Sequence, residues 1–306
     1  MRVLVAVDGS SYSDAAVGFL GALGMRFKAE VTVLAVIPEH VFLGKRTIQH
    51  LLRRSSSLKA QMQKTAEERA EGVVAKAVGS LVAQGVKAEA AILMGIPAEE
   101  ITKACRELRA DLLVVGYKGE SNTPEFLLGN TAHKVMKYAP CSVLVVKRET
   151  ATINKVLVPL DGSRFSDETV RFLLRVQLPH RAEISLMTVT VAESLVVALM
   201  GTPTLNVETN RKLLSELLKA EEETAESLMA GATKEFRAHS YRVSATVARG
   251  DPAQEILKAA AKRDVDLIAL GAKGLSGVRR FLLGGVAQRT ARYARCSVLV
   301  VRPPKA

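Results

Sequence analysis

A chain of 306 residues, 48% apolar and 24% charged, is long enough for two ordinary domains and has no low-complexity tract that would mark it as disordered. No apolar run reaches the roughly 18 residues of a membrane span. The start MRVLVAVDGS enters a strand pattern with no signal peptide, and three cysteines without metal-ligand spacing point to a reducing cytoplasm. The net charge of +12 is spread as 20 basic against 15 acidic residues over 1–150 and 23 against 16 over the rest. With no Trp and only 4% aromatic residues, nothing here forms a stacking platform for single strands, so nucleic acid is not the expected partner.

In chain order the pattern alternates strand and helix. VLVAV (3–7) is an apolar run suited to a strand buried on both faces, and Ser13-Asp14 would cap a helix running to about Met25. VTVLAVI (31–37) reads as a second strand, 58–84 as a long helix and VKAEAAIL (86–93) as a third strand, after which Pro97 opens a short helix. DLLVVG (111–116), a helix over Asn130–Tyr138 and SVLVV (142–146) complete the first half. The second half repeats the pattern with strands at 156–160, 183–189, 241–247, 266–271 and 297–301. Its helices fall at about 209–238, 252–262 and 285–293. Strands separated by helices pair in parallel through right-handed crossovers. The expected fold is α/β, two tandem doubly wound open parallel-sheet domains of five strands each, over 1–150 and 151–306, with the boundary in the polar stretch 148–154.

The repeat can be read residue by residue. DGSSYSDAAVGFL from Asp8 matches DGSRFSDETVRFL from Asp161 at eight of thirteen positions, and residues 116–147 match 271–302 at 17 of 32 without a gap. The second block holds a glycine-rich loop in both copies. Gly116 and Gly119 precede Gly129 in one, and Gly271 and Gly274 precede Gly284 in the other, with nine residues before the last glycine in each case. Glycine lets main-chain N–H groups approach a ligand, and the helix that follows adds unsatisfied N–H groups and a positive dipole end, which suits a phosphate. Asp8 and Asp161 follow strand one and the loops follow strand four, so each carboxylate should stand beside its loop at the point where strand order reverses. It could accept hydrogen bonds from a base or ribose, help hold a divalent cation, or only cap its own turn.

The combination VAVDGS and VPLDGS, the G-x-x-G loop with its third glycine, and the closing CSVLVV resembles the universal stress protein family over essentially the whole chain. The resemblance implies a Rossmann-like, adenine nucleotide alpha-hydrolase-like fold that binds ATP or AMP, with or without Mg or Mn. It places adenine contacts on Asp8 and Val36, and on Asp161 and Val189. Ribose and phosphate contacts fall on Gly116, Gly119 and Gly129, and on Gly271, Gly274 and Gly284. In the family's nucleotide-binding branch Ser or Thr follows the last glycine, where this chain has Asn130 and Gly285.

The two loops differ in charge. Arg279 and Arg280 can pair with phosphate in the second, with Gly285 and Val286 supplying N–H groups. Glu120 and Glu125 oppose an anion in the first, where Asn130 and Thr131 remain as polar contacts. The second domain is therefore expected to bind nucleotide better. Lys118 and Lys273 either reach the phosphate or are solvated loop residues. Lys45 to Lys59 is a basic, serine-containing stretch, and 194–207 an apolar one. The five histidines form no cluster. Without a phosphate-binding G-x-x-x-x-G-K-[ST] loop or a nucleophile elbow, catalysis is at most weak ATP hydrolysis. The alternatives are a regulatory stress-response sensor of adenine nucleotide and an interaction scaffold of the same fold. The short apolar strands Ser142–Val146 and Ser297–Val301 suggest an internal pseudo-dimer, which leaves room for a homodimer and a protein partner.

Overall fold

Runs such as VLVAV and LLVVG are apolar on both faces, which only a strand covered on both sides can bury. In the computed structural model, which describes residues 1–23, 29–39, 56–119, 128–149, 152–190, 207–275 and 283–304, these runs are central parallel strands. The chain divides into two compact units, one built on Met1–Thr152 and the other on Ile153–Pro303.

The first unit runs β1 (Arg2–Val7), α1 (Ser11–Ala22), β2 (Glu30–Pro38), α2 (Ser56–Ala83), β3 (Lys87–Gly95), α3 (Pro97–Glu107), β4 (Leu112–Gly116), α4 (Asn130–Tyr138) and β5 (Ser142–Val146). Its strand order is β3-β2-β1-β4-β5, all parallel, with Val5 beside Val33 on one side and Val114 on the other. The second unit runs β6 (Lys155–Pro159), α5 (Arg164–Val176), β7 (Glu183–Thr190), α6 (Val207–Ala238), β8 (Arg242–Arg249), α7 (Pro252–Arg263), β9 (Leu267–Gly271), α8 (Gly285–Tyr293) and β10 (Ser297–Val301), in the order β10-β9-β6-β7-β8. The expected doubly wound five-stranded α/β unit, twice repeated, is what the chain forms. In the first unit α1 and α2 pack together on one layer and α3 and α4 on another, and the second unit repeats both pairings.

The core lies where both layers meet the central strands: Leu4, Val5, Leu113, Val114, Phe19 and Leu20 in the first unit, and Leu157, Val158, Ile268, Phe172 and Leu173 in the second. Each such side chain contributes about 1.5–3 kcal/mol by leaving water. The outer strands β3 and β8 are much more exposed and carry correspondingly more polar residues.

Helix starts follow local chemistry, with one correction. Helix α1 is capped by Ser10, whose hydroxyl accepts the Ser13 N–H, and not by Ser13-Asp14. Gly9 takes φ 85°, and the cap it leads into, Ser10, falls three residues before Ser13. Ser163 caps α5 in the same way through Ser166, and Asp251 caps α7 through Gln254. At the far end of each sheet an aspartate not singled out in the sequence sets the register. Asp111 accepts the Arg2 N–H at 2.8 Å, and Asp266 accepts those of Asn154 and Lys155 at 2.8 and 3.0 Å. Most of the basic stretch from Lys45, and nearly all of 194–207, lie outside the described residues.

Candidate functional site

Strand order reverses between β1 and β4, and again between β6 and β9. The connection from β1 goes outward to β2 and β3 before the chain crosses back to β4. Loops leaving such a pair of strands diverge and open a crevice at their carboxyl ends. The DGS turn and the G-x-x-G turn form its two walls in each unit.

In the second unit the Asp161 carboxylate accepts the Ser163 N–H at 3.0 Å with one oxygen and the Leu275 N–H at 3.2 Å with the other. A β-carbon on Gly274 would lie 2.5 Å from that second oxygen. In the first unit Asp8 accepts the Ser10 N–H at 3.0 Å, and its other oxygen is set against Gly119. The Ser10 hydroxyl there reaches the Lys118 carbonyl at 3.4 Å. The second glycine of each loop is thus small because a carboxylate occupies the space a side chain would take.

The first glycine answers to a different neighbour. A β-carbon on Gly116 would come within 2.8–2.9 Å of Tyr12, and one on Gly271 within 2.6–3.1 Å of Phe165. The first turn of α1 or α5 rests directly on the end of β4 or β9. The third glycine closes the loop: the Gly129 N–H donates to Tyr117 at 2.9 Å and the Gly284 N–H to Ala272 at 2.7 Å. Gly129 and Gly284 are the N-caps of α4 and α8, and neither brings a side chain to bond the first turn. Asn130 and Gly285 are the first helical residues, with Thr131 and Val286 next. Among the described residues, nothing lies within 4 Å of a would-be β-carbon on Gly285.

The structure therefore gathers Asp8, Gly119 and Gly129 around one crevice mouth, and Asp161, Gly274 and Gly284 around the other. Val36 and Val189 stand half-buried near the mouth ends of β2 and β7. Lys118 is not a solvated loop residue: it is buried, and its ammonium lies 5.6 Å from the Tyr117 ring, which also carries Lys147 at 4.3 Å. Lys273 is half-buried. Arg279, Arg280, Glu120 and Glu125 fall outside the described residues. Sequence reasoning missed Ser10 and Ser163 as the residues that set the turn, and Tyr12 and Phe165 as the seats of the first glycine. Their repetition at matching places in the two copies was the available signal.

The cysteines offer no nucleophile here. All three are buried, and hydrogen bonding to the Cys141 thiol, followed by burial, pushes the Cys105 thiol pKa far up. Among the described residues no three His, Cys, Asp or Glu gather as metal ligands, and no helix is long and apolar enough to cross a membrane.

Two copies of an open parallel sheet, each with a glycine-lined crevice at its switch point, define a duplicated α/β protein of the doubly wound class. The model of the universal stress protein family matches residues 1–147 and again 152–302, and the chain belongs to that family. A universal stress protein of Mycolicibacterium smegmatis is 26% identical over 305 residues, covering 98% of this chain and 97% of that one. One from Methanocaldococcus jannaschii is 32% identical over 161 residues, covering 53% of this chain and 89% of the relative. Among solved structures, a universal stress protein from Archaeoglobus fulgidus superposes with a TM-score of 0.64 at 19% identity, covering 99% of this chain and 97% of that one, a likeness of fold.

Proposed function

We propose that the protein is a regulatory stress-response protein that binds an adenine mononucleotide, ATP or AMP, in these crevices, the second more tightly than the first. The observation that carries the reading is the start of α8. Its cap, Gly284, makes no side-chain capping bond to the first-turn N–H groups, and among the described residues nothing lies within 4 Å of a would-be Gly285 β-carbon. An anion of phosphate size is the partner such a turn suits best. The base would extend toward Val189 at the end of β7.

The preference for the second unit is supported by Gly285, which brings no side chain to the helix start where the first unit has Asn130. It is supported also by Arg279 and Arg280, which stand where the first loop has Pro124 and Glu125. A divalent cation, Mg or Mn, would arrive with the phosphates. A second reading, an interaction scaffold without nucleotide, is favoured by one feature: neither Asn130 nor Gly285 supplies the hydroxyl of the family's nucleotide-binding branch.

Native mass spectrometry of the freshly purified chain, then titrated with ATP and with AMP, tests the proposal. Bound nucleotide is expected, largely lost in Gly285→Glu and mostly retained in Asn130→Glu. Absence of any nucleotide at millimolar concentration would leave the scaffold reading. A larger loss in Asn130→Glu would reverse the order of the two sites.

A further inference from the structure

Strand β8 is the last in the order of the second unit, and its outer side meets no described strand. The Gly250 N–H donates to the Thr190 carbonyl at 3.1 Å, and the Thr190 hydroxyl donates to the Ala248 carbonyl at 3.5 Å. The even-numbered residues of β8 therefore turn their main chain toward β7. In a parallel strand such residues alternate with ones that face the other way. Val243, Ala245 and Val247 thus present their N–H and C=O groups outward, the template that an edge strand offers to a further strand. Alongside runs a groove of about 660 Å³ between β8 and the C-terminal half of α6, lined by Met229, Thr233 and Ala245. Glu226 stands toward one end of it, and Lys234 and Arg237 toward the other, where β8 begins.

The charges decide what kind of strand belongs there. Arg242 is held by Glu183 at 3.0 Å and Arg249 by Glu222 at 3.5 Å. Lys234 and Arg237 are exposed and have no ion-pair partner among the described residues. The first unit lacks this feature. Its α2 closes as α6 does, the Gly85 N–H bonding Val82 as the Ser240 N–H bonds Arg237, both at 2.9 Å. That register puts Gly79 and Val82 where the second unit has Lys234 and Arg237.

We propose that the groove between α6 and β8 is a docking site for an extended acidic segment of a partner protein, which adds to β8 as a further strand. Main-chain hydrogen bonds to Val243, Ala245 and Val247 supply affinity. Alternate side chains of the segment enter the groove beside Met229 and Thr233, and its carboxylates meet Lys234 and Arg237. From Glu226 to Ala238 the helix rises about 18 Å, which five or six residues of an extended chain match at about 3.3 Å each. Because β8 begins at the amino end of the sheet, the basic end of the groove lies away from the crevice mouth. The site therefore stands whether or not the crevice holds a nucleotide.

The test selects peptides of about eight residues from a random display library on the full chain, then titrates the strongest of them, fluorescently labelled. The selected peptides are expected to alternate apolar residues and to carry carboxylates toward one end. Selection of basic or purely apolar peptides, or of none, overturns the proposal. Binding should weaken about tenfold in the double variant Lys234→Glu, Arg237→Glu and stay unchanged in Val82→Glu, the matching change in the first unit. An equal response of the two variants counts against the groove. Two forms of the peptide, N-methylated at complementary sets of alternate amides, then separate strand addition from side-chain contact. Only the form blocked on the β8 side should lose binding, and equal behaviour of both overturns strand addition. Finally, Ala245→Pro removes one outward N–H and leaves the ladder to β7 alone, with folding checked by circular dichroism. Peptide binding should be lost and the sedimentation coefficient of the free chain unchanged. A dimer that this change dissolves would make a second copy of the chain the occupant and overturn the proposal.

Discussion

Gly271 is packed on Phe165: a β-carbon at position 271 would lie 2.6 Å from the Phe165 β-carbon and 2.9 Å from its carbonyl carbon. The same relation holds between Gly116 and Tyr12 in the first unit, at 2.9 and 2.8 Å. Because the opposing atoms are helix backbone, they cannot swing aside, and Gly271→Ala must push α5 off the end of β9. Overpacking of this kind costs about 1–3 kcal/mol. Chemical denaturation of Gly271→Ala should show a loss in that range, with Gly18→Ala, inside α1 with nothing described within 4 Å, as a comparison expected to gain about 0.5–1 kcal/mol. Equal stabilities would mean that the helix does not rest on the glycine.

Position 285 predicts a gain. Gly285 is the first residue of α8, and among the described residues nothing lies within 4 Å of its would-be β-carbon, so Gly285→Ser adds a hydroxyl at a turn without a side-chain cap and meets no described atom. A hydrogen bond from that hydroxyl to a phosphate oxygen would tighten ATP or AMP by roughly tenfold, in line with about 1.4 kcal/mol for a bond to a charged group. Removing the glycine from a helical position should also raise stability by about 0.5–1 kcal/mol. Titration calorimetry and thermal melts measure the two effects separately. A variant that melts higher but binds no better would place the phosphate elsewhere.

Asp251 predicts an acid-side effect. The Arg289 guanidinium at 2.9 Å, and next the Gln254 N–H, hold its carboxyl below the usual carboxylate range. A carboxyl whose pKa is lower folded than unfolded adds stability above the unfolded value, near 3.9, and loses it as pH falls through the folded one. The pair is well exposed to solvent, so the contribution is within about 1 kcal/mol. Asp251→Asn keeps a helix cap and removes the charge. Its stability deficit should be present at pH 7 and vanish as pH falls through the lowered folded value. A deficit independent of pH would assign it to the cap alone.

How much of this could be read beforehand differs from element to element. Strands β5 and β10 and helices α4 and α8 have the expected limits, because a five-residue apolar run or a helix opening after a glycine leaves little freedom. The start of α1 was misplaced because Asp8-Gly9-Ser10 and Ser13-Asp14 both look like caps. Only the positive φ of Gly9 and the Ser10 to Ser13 bond distinguish them. The adjacency of Asp8 to Gly119 followed from sheet topology, but what the carboxylate does there did not.

By itself the sequence determined the duplication, the alternation of strand and helix, and the placing of DGS and glycine loops after the first and fourth strand of each half. Those features depend on local composition and periodicity, which a linear chain displays directly. The tertiary structure alone decided why each glycine is there: Gly271 for the body of Phe165, Gly274 for the Asp161 carboxylate, and Gly284 for closure onto Ala272. Absence of a side chain is recorded in the sequence, but the neighbour that requires the absence lies more than 100 residues away for Gly271 and Gly274, and is brought there only by folding.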